Sequence, residues 1–391
     1  MADSKVASGG ERMRVLAIDH TAGVAPFRRK FEAIAAYDDV DLTVLAPAVW
    51  HENYQPVSPP AKGRGYDIRT GRVIFSGYNN RSFFLTGLAG ALRAVRPHIL
   101  DVYEEAYSFF LAQASTMARL LAPEARLIFH SSDSLSHDGW YPYRPCWIYA
   151  AIQRHAHRVG RYAFTINETA GEILRSKGFG GPITRVFHGV DESQFRPQDA
   201  GPIRSELGLG GPVIGYVGKL SHKKGIDILI RAAAALTQTA ELLIVGDGEE
   251  RERLEQLAIE TGIRERTRFV GGVPHEQVPR YIGALDVLVL PTVRSTTCNE
   301  TFGRVLVEAM ACGVPVIGTT CGSMRLVVGD DGLIVEHDDV EALRAGLETL
   351  LSDPELMGRL AERGRKRVLD LYTWPRFAEL IHQGYLEVLK D

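Results

Sequence analysis

A chain of 391 residues exceeds what one ordinary core fills, because single cores stop growing at roughly 250 to 300 residues, so the length predicts two domains. Its 45% hydrophobic and 24% charged residues are those of a water-soluble globular protein with enough aliphatic side chains to cover sheets on both faces. A formal net charge of -3 with no basic stripe excludes nucleic acid as a partner.

The opening residues, MADSKVASGGER, are polar and lack the apolar region of a signal peptide, and no window supplies the roughly 20 apolar residues of a membrane span. Next, MRVLAID reads as a buried strand, HTAGVAP as a loop, FRRKFEAIAAY as a helix and VDLTVLAP as a second strand, which is how a parallel sheet begins. HILDVY, ARLIFH, YAFTIN and ITRVFH extend it into a doubly wound α/β domain. The stretch GVDESQFRPQDAGP, from Gly189, has the composition of a turn-rich linker and puts the boundary at 197/198. Beyond it the rhythm restarts with PVIGYVG, IDILIRAAAAL, AELLIVG, EERERLEQLAIETG, RTRFVGG and DVLVLP, so the second half is also α/β. The final TWPRFAELIHQGYLEVLKD predicts an amphipathic helix with Phe377, Leu380, Ile381 and Leu386 inward, returning residues 373–391 to the first domain. The expected division is therefore 1–197 with 373–391, and 198–372.

The four cysteines, Cys146, Cys298, Cys312 and Cys321, make no CxxC pair and have no histidine at zinc-ligand spacing. They predict reduced thiols, a cytoplasmic setting and no metal site.

In parallel sheets the carboxyl ends of strands and the helix starts beyond them form the ligand-binding edge, because free N–H groups and the helix dipole favour anions there. Along this edge, Arg28, Arg29 and Lys30 read as a solvated basic face, or as a contact for a phosphorylated ligand or an anionic lipid surface. RSFFLTGLAGALRAVRP is apolar and basic; it reads as a buried helix and keeps peripheral contact with a membrane open. In DVYEEAY, Glu104 and Glu105 stand at a strand end and face opposite ways, so at most one of them, taken as Glu105, reaches the ligand-binding edge. His130 ends ARLIFH and suits either a site role or a satisfied structural one. It opens a loop whose Trp140, Tyr141 and Tyr143 suit stacking on a sugar or aglycone, or the core of a rim loop.

GKLSHKKG offers Lys219 and Lys224 either as a solvated turn or as cations for a departing diphosphate. LLIVGDGEE places Gly246 and Gly248 after a strand but has Arg251 where a dinucleotide fingerprint needs its third glycine, so it is a weak GxG, and a dehydrogenase reading would rest on it alone. ETFGRVLVEAM follows DVLVLP and sets Glu300 and Glu308 eight positions apart, at most about 12 Å if helical. That suits two carboxylates flanking a diphosphate, each accepting hydroxyls of a sugar or ribose. It suits equally well a core helix with Glu308 on its solvated face.

The motif ETFGRVLVEAMACGVPVIGT resembles the E-x7-E motif of family 4 GT-B glycosyltransferases, and GYVGKLSHKKGIDILI, LLIVGDGEE, RFVGGVPHEQVPRYIGALDVLVLPT, FTINETAGEILRSKGF and HGVDESQFRP match at the corresponding places in the chain. The resemblance covers most of the second domain and, more weakly, the first. It implies two Rossmann-like domains facing across a cleft. It also implies retaining transfer of a sugar from a nucleoside diphosphate donor, UDP ahead of GDP, to a saccharide, lipid-linked or small-molecule acceptor, with no metal or other cofactor. By it, Glu300, Thr301, Phe302, Gly303, Arg304 and Val305 hold the donor sugar and phosphates, and Glu308 holds the ribose. Lys224, and Lys219 where the family usually has arginine, face the diphosphate together with Gly218 and Gly246. The backbone near Val273 meets the base, Gly23 lies near the diphosphate and acceptor, and His130 lies near the donor sugar. An epimerase of the same architecture, or a protein that binds nucleotide sugars without catalysis, is the alternative.

Overall fold

The computed structural model describes residues 12–52, 55–133, 145–294 and 300–390. The chain divides into two compact units, Met1–Val186 with Phe377–Asp391, and Phe187–Arg376. The first division falls before the expected 197/198 and the second after 372/373, because the linker is built into the second unit. Val190 bridges Thr373, its amide donating to the Tyr372 carbonyl at 2.7 Å, and the Phe187 ring meets the Tyr372 ring edge-on at 5.0 Å. The linker also carries a short helix, Gly201–Leu207, with Ile203 buried.

The first unit holds a parallel sheet of seven strands: β1 (Met13–Ile18), β2 (Val40–Pro47), β3 (Asp67–Gly71), β4 (Ile99–Val102), β5 (Arg126–Ser131), β6 (Gly160–Thr165) and β7 (Ile183–Arg185). Their order is β7-β6-β5-β4-β1-β2-β3. Both faces of the central strands are covered, so β1 is apolar from Val15 to Ile18 and β4 is apolar but for Asp101, and Leu16, Ile18, Leu100, Val102, Phe110 and Phe129 lie in one core. The expected strands all form; β3 has no counterpart among the expectations. It is an edge strand whose Asp67, Arg69 and Thr70 are exposed, so it lacks the apolar run by which its neighbours are recognised.

The stretch after Phe84 forms the helix Leu88–Val95, which buries Leu88, Ala91 and Leu92 in that core, in line with the buried-helix reading. The final helix, Trp374–Val388, also packs on the first unit, but its inward stripe is Phe377, Ala378, Ile381, Tyr385 and Val388. Leu386 was expected inward and is 40% exposed, because it lies one step round the helix from Tyr385.

The second unit repeats the plan with β8 (Val213–Val217), β9 (Glu241–Val245), β10 (Thr267–Gly271), β11 (Val287–Leu290), β12 (Val316–Thr319) and β13 (Leu333–Val335), in the order β10-β9-β8-β11-β12-β13. In each unit the strand order reverses beside the first strand, between β1 and β4 and between β8 and β11. Loops leaving the carboxyl ends of such neighbours part in opposite directions and open a crevice, where open α/β sheets bind ligands. Among the described residues no helix is long and apolar enough to cross a membrane.

Candidate active site

The reversal in the second unit brings together the loop after β8, Gly218–Gly225, and the loop after β11, which starts at Pro291. Residues 295–299 of the latter lie outside the described residues. The two loops are in backbone contact, with the Val293 amide donating to the Lys223 carbonyl at 3.0 Å. Gly225 has a φ of +64°, and a Cβ on it would lie 2.1 Å from the Pro291 carbonyl oxygen, so only glycine fits.

That contact delivers Lys224 to Glu300. The ammonium lies 2.6 Å from Oε2, which also accepts from the Thr292 hydroxyl at 3.2 Å, while Oε1 accepts from the Gly303 amide at 3.3 Å. A turn behind it fixes the Glu300 backbone, the Ser323 amide donating to its carbonyl at 2.8 Å. Glu300 and Lys224, chosen separately from the sequence, are thus one ion pair at the start of the helix Arg304–Ala311. The dipole of that helix start favours an anion beside the lysine.

Glu308, a turn further in, is 6% exposed, which rules out the solvated-face alternative. Its Oε1 meets His275 Nε2 at 3.1 Å and Arg304 Nε at 3.4 Å. His275 follows Val273 and Pro274 in the loop after β10, so Val273, half-buried, and Glu308 are neighbours through it. Thr301 and Val305 are half-buried and Arg304 is exposed. Phe302 is 3% exposed and enclosed by the rings of Phe187, His188 and Tyr372; its side chain is core, and only its backbone is left to meet a ligand.

Lys219 stands apart from this cluster, 61% exposed and 3.5 Å from the equally exposed Glu249. Gly218 and Gly246 mark where the loops after β8 and β9 cross. The Gly218 amide donates to the Val245 carbonyl at 2.9 Å, and a Cβ on Gly246 would lie 1.8 Å from the Gly218 carbonyl oxygen. The GDG turn therefore needs its glycines for close backbone approach.

In the first unit the reversal point gathers a cluster that sequence reasoning largely missed. Asp19 caps the short turn His20–Gly23, accepting from the Thr21 amide at 2.7 Å, and pairs with Lys30 at 2.6 Å. Lys30 is 7% exposed and lies 4.2 Å over the Tyr103 ring, so it belongs neither to a solvated face nor to an anion contact. Burial raises the Asp19 carboxyl, but Lys30 and His20 outweigh it and hold it below its usual range. Arg28 turns back onto the Gly23 carbonyl at 2.9 Å and Arg29 pairs with Glu32 at 2.8 Å, which places Gly23 in a braced turn.

Glu104 and Glu105 do take different partners. Glu104, 4% exposed, meets His20 Nδ1 at 2.6 Å. Burial works against the charge on His20, but the Glu104 carboxylate prevails and keeps the imidazole above its usual range, while burial raises Glu104 itself. Glu105 accepts from the Ser131 hydroxyl at 2.7 Å, the Ser132 amide at 2.6 Å and the Ser132 hydroxyl at 2.9 Å. Burial, with the Asp133 carboxylate beside it, pushes Glu105 up to about 8. Its folded pKa is thus above its unfolded value, so its contribution to stability is full below pH 4.5 and is lost as pH rises to about 8. Glu105→Gln is expected to flatten that part of the curve of melting temperature against pH.

His130, the last residue but one of β5, has Nε2 2.9 Å from Asp101 Oδ1 and its ring stacked on Tyr103 at 3.9 Å. The aromatics Trp140, Tyr141 and Tyr143 lie outside the described residues. His20 was legible by the strand-end logic that found His130; Asp101, Lys30 and His275 carry no local signal.

Residues 202–367 match the model of the glycosyl transferases group 1. The chain is 30% identical over 315 residues to the 2-deoxystreptamine N-acetyl-D-glucosaminyltransferase of Streptomyces fradiae, covering 74% of this chain and 73% of that one. It is 35% identical over 245 residues to the GDP-mannose-dependent alpha-(1-6)-phosphatidylinositol monomannoside mannosyltransferase of Mycolicibacterium smegmatis, covering 59% of this chain and 64% of that one. The crystal structure of HepE from Anabaena in complex with UDP shares the fold at a TM-score of 0.73 and 18% identity, over 96% of this chain and 100% of that one. With two Rossmann-like parallel sheets of GT-B type and these matches, the chain belongs to the glycosyl transferases group 1.

Proposed function

We propose that the chain transfers a sugar from a nucleoside diphosphate donor to a hydroxyl of a saccharide, lipid-linked or small-molecule acceptor, with retention at the anomeric carbon and without a metal ion. The observation that carries this reading is the Lys224–Glu300 pair at the sheet reversal of the second unit, with the Gly303 amide and a helix start beside it.

In the reaction the bond from the anomeric carbon to the phosphate oxygen breaks with its electron pair going to the diphosphate. Lys224, the helix amides and the more exposed Lys219 stabilise that charge. The acceptor oxygen bonds to the anomeric carbon on the same face, and its proton passes to the departing phosphate oxygen. Glu300 accepts sugar hydroxyls, and Glu308, aligned by His275, accepts the ribose hydroxyls. The backbone around Val273 meets the base, while Gly23, His130 and Glu105 serve the sugar and acceptor from the first unit.

UDP is the first base to test, because HepE was crystallised with it, and GDP the second, because the Mycolicibacterium relative is named for GDP-mannose. One of the two is expected to raise the melting temperature by several degrees at a hundredfold excess over Kd. Glu308→Ala is expected to weaken that binding about ten- to hundredfold, the cost of hydrogen bonds to a charged acceptor. Release of nucleoside diphosphate is expected to continue in EDTA. Absence of any shift with UDP, GDP or their sugars would sink the reading.

A further inference from the structure

A buried chain of polar groups ties the end of the final helix to the end of β5. Tyr385 Oη donates to Asp101 Oδ2 at 2.6 Å, across 284 positions of sequence, and Asp101 Oδ1 meets His130 Nε2 at 2.9 Å. Asp101 and Tyr385 are both 0% exposed. Burial, with Asp101 beside it, holds the Tyr385 phenol well above its usual range, so its proton stays in place as the donor. The close approach depends on the neighbouring Gly384, on which a Cβ would lie 2.5 Å from the Phe164 ring. Phe164 in turn lies 5.2 Å from the His130 ring.

Docking a helix needs only apolar contacts, and Phe377, Ile381 and Val388 supply them. A phenol aimed at a buried carboxylate does something more specific. A carboxylate oxygen accepts, so the Asp101 contact selects the His130 tautomer that carries its proton on Nε2. Nδ1 then carries the lone pair, and it makes no hydrogen bond among the described residues. Tyr385 occupies the other Asp101 oxygen and keeps the carboxylate from turning away from the imidazole.

We propose that Tyr385 is a positioning residue of the transfer reaction: through Asp101 it holds His130 with Nδ1 presented as the acceptor for a hydroxyl of the transferred sugar. The proposal rests on the reading that His130 meets the donor. It makes the final helix part of the donor-recognition apparatus.

The test uses the full chain and whichever of UDP-glucose or GDP-mannose stabilises it, with release of nucleoside diphosphate as the rate. Tyr385→Phe keeps the ring and removes one hydroxyl. It is expected to lower kcat/KM about tenfold, the size of one lost hydrogen bond, with Kd for the free nucleoside diphosphate unchanged. Asp101→Asn sets an amide donor against Nε2 and moves the His130 proton to Nδ1. It is expected to cost more, and the imidazole nitrogen shifts in NMR report the change of tautomer. In a His130→Ala background, Tyr385→Phe is expected to cost nothing further.

Equal losses in both backgrounds overturn the proposal, as does a lowered melting temperature with unchanged kcat/KM. Wild-type kinetics in His130→Ala overturn the assignment of His130, and the proposal with it. If that variant is impaired while Tyr385→Phe acts independently of it, only the proposal fails.

Discussion

Glu300→Ala is expected to lower kcat/KM at least about a hundredfold while the chain still melts cooperatively within a few degrees of the wild type. The asymmetry follows from where the carboxylate sits. Its removal takes away the partner of Lys224, the acceptor of the Thr292 hydroxyl and the acceptor of the Gly303 amide at once. The Lys224 side chain is 24% exposed, so water takes over much of its solvation, while the buried Thr292 hydroxyl and Gly303 amide each lose an acceptor at about 1 to 3 kcal/mol, a cost of degrees in melting temperature rather than of the fold. Catalysis has no such substitute. A sugar held loosely by even an ångström loses the alignment between its anomeric carbon and the acceptor, and a misplacement of that size costs about a hundredfold.

Lys224→Ala is expected to fall in the same range, because removing one preorganised donor to developing negative charge costs about a hundred- to a thousandfold. The double variant is expected to lose far less than the product of the two, since the residues act as a pair. Steady-state rates beside thermal melts check all three. Near-normal turnover in both single variants would remove the pair from the reaction.

Sequence made the frame of the molecule legible because parallel strands covered on both faces are near-continuous apolar runs, as in VLAI of β1 and VLVL of β11. It hid β3, whose exposed edge position lets it keep Asp67 and Arg69. It named Glu300 and Lys224 as candidates, but their contact spans 76 positions and is made by a loop crossing that no periodicity records. Glu308 left two readings open because its partner His275 lies 33 positions upstream in another loop. Lys30 looked like the third of three basic surface residues, and only the capping Asp19 below it explains why it is buried. In each case the residue type was readable and the partner was not, since ion pairs between strand-end loops are set by sheet order.

Gly225→Ala is expected to cost nearly as much activity as Lys224→Ala, although position 225 offers no side chain to a substrate. The wild-type φ of +64° is left-handed, which costs an alanine about 1 to 2 kcal/mol by itself. The new methyl would in addition lie 2.1 Å from the Pro291 carbonyl oxygen, a backbone atom that cannot swing aside as a side-chain end could. Relief requires the Lys219–Gly225 loop to lift from the end of β11, and Lys224 lifts with it. Glu300, braced from behind by Ser323, stays where it is, so the 2.6 Å pair opens. The variant should therefore show both a melting temperature lowered by about 4 °C or more and a rate loss of about a hundredfold. A surface glycine such as Gly210, with open space around its Cα, gives the control: Gly210→Ala should change neither. If Gly225→Ala lowers the melting temperature alone, Lys224 reaches the diphosphate without the loop contact, and the catalytic geometry is set by the ligand rather than by the crossing of the two loops.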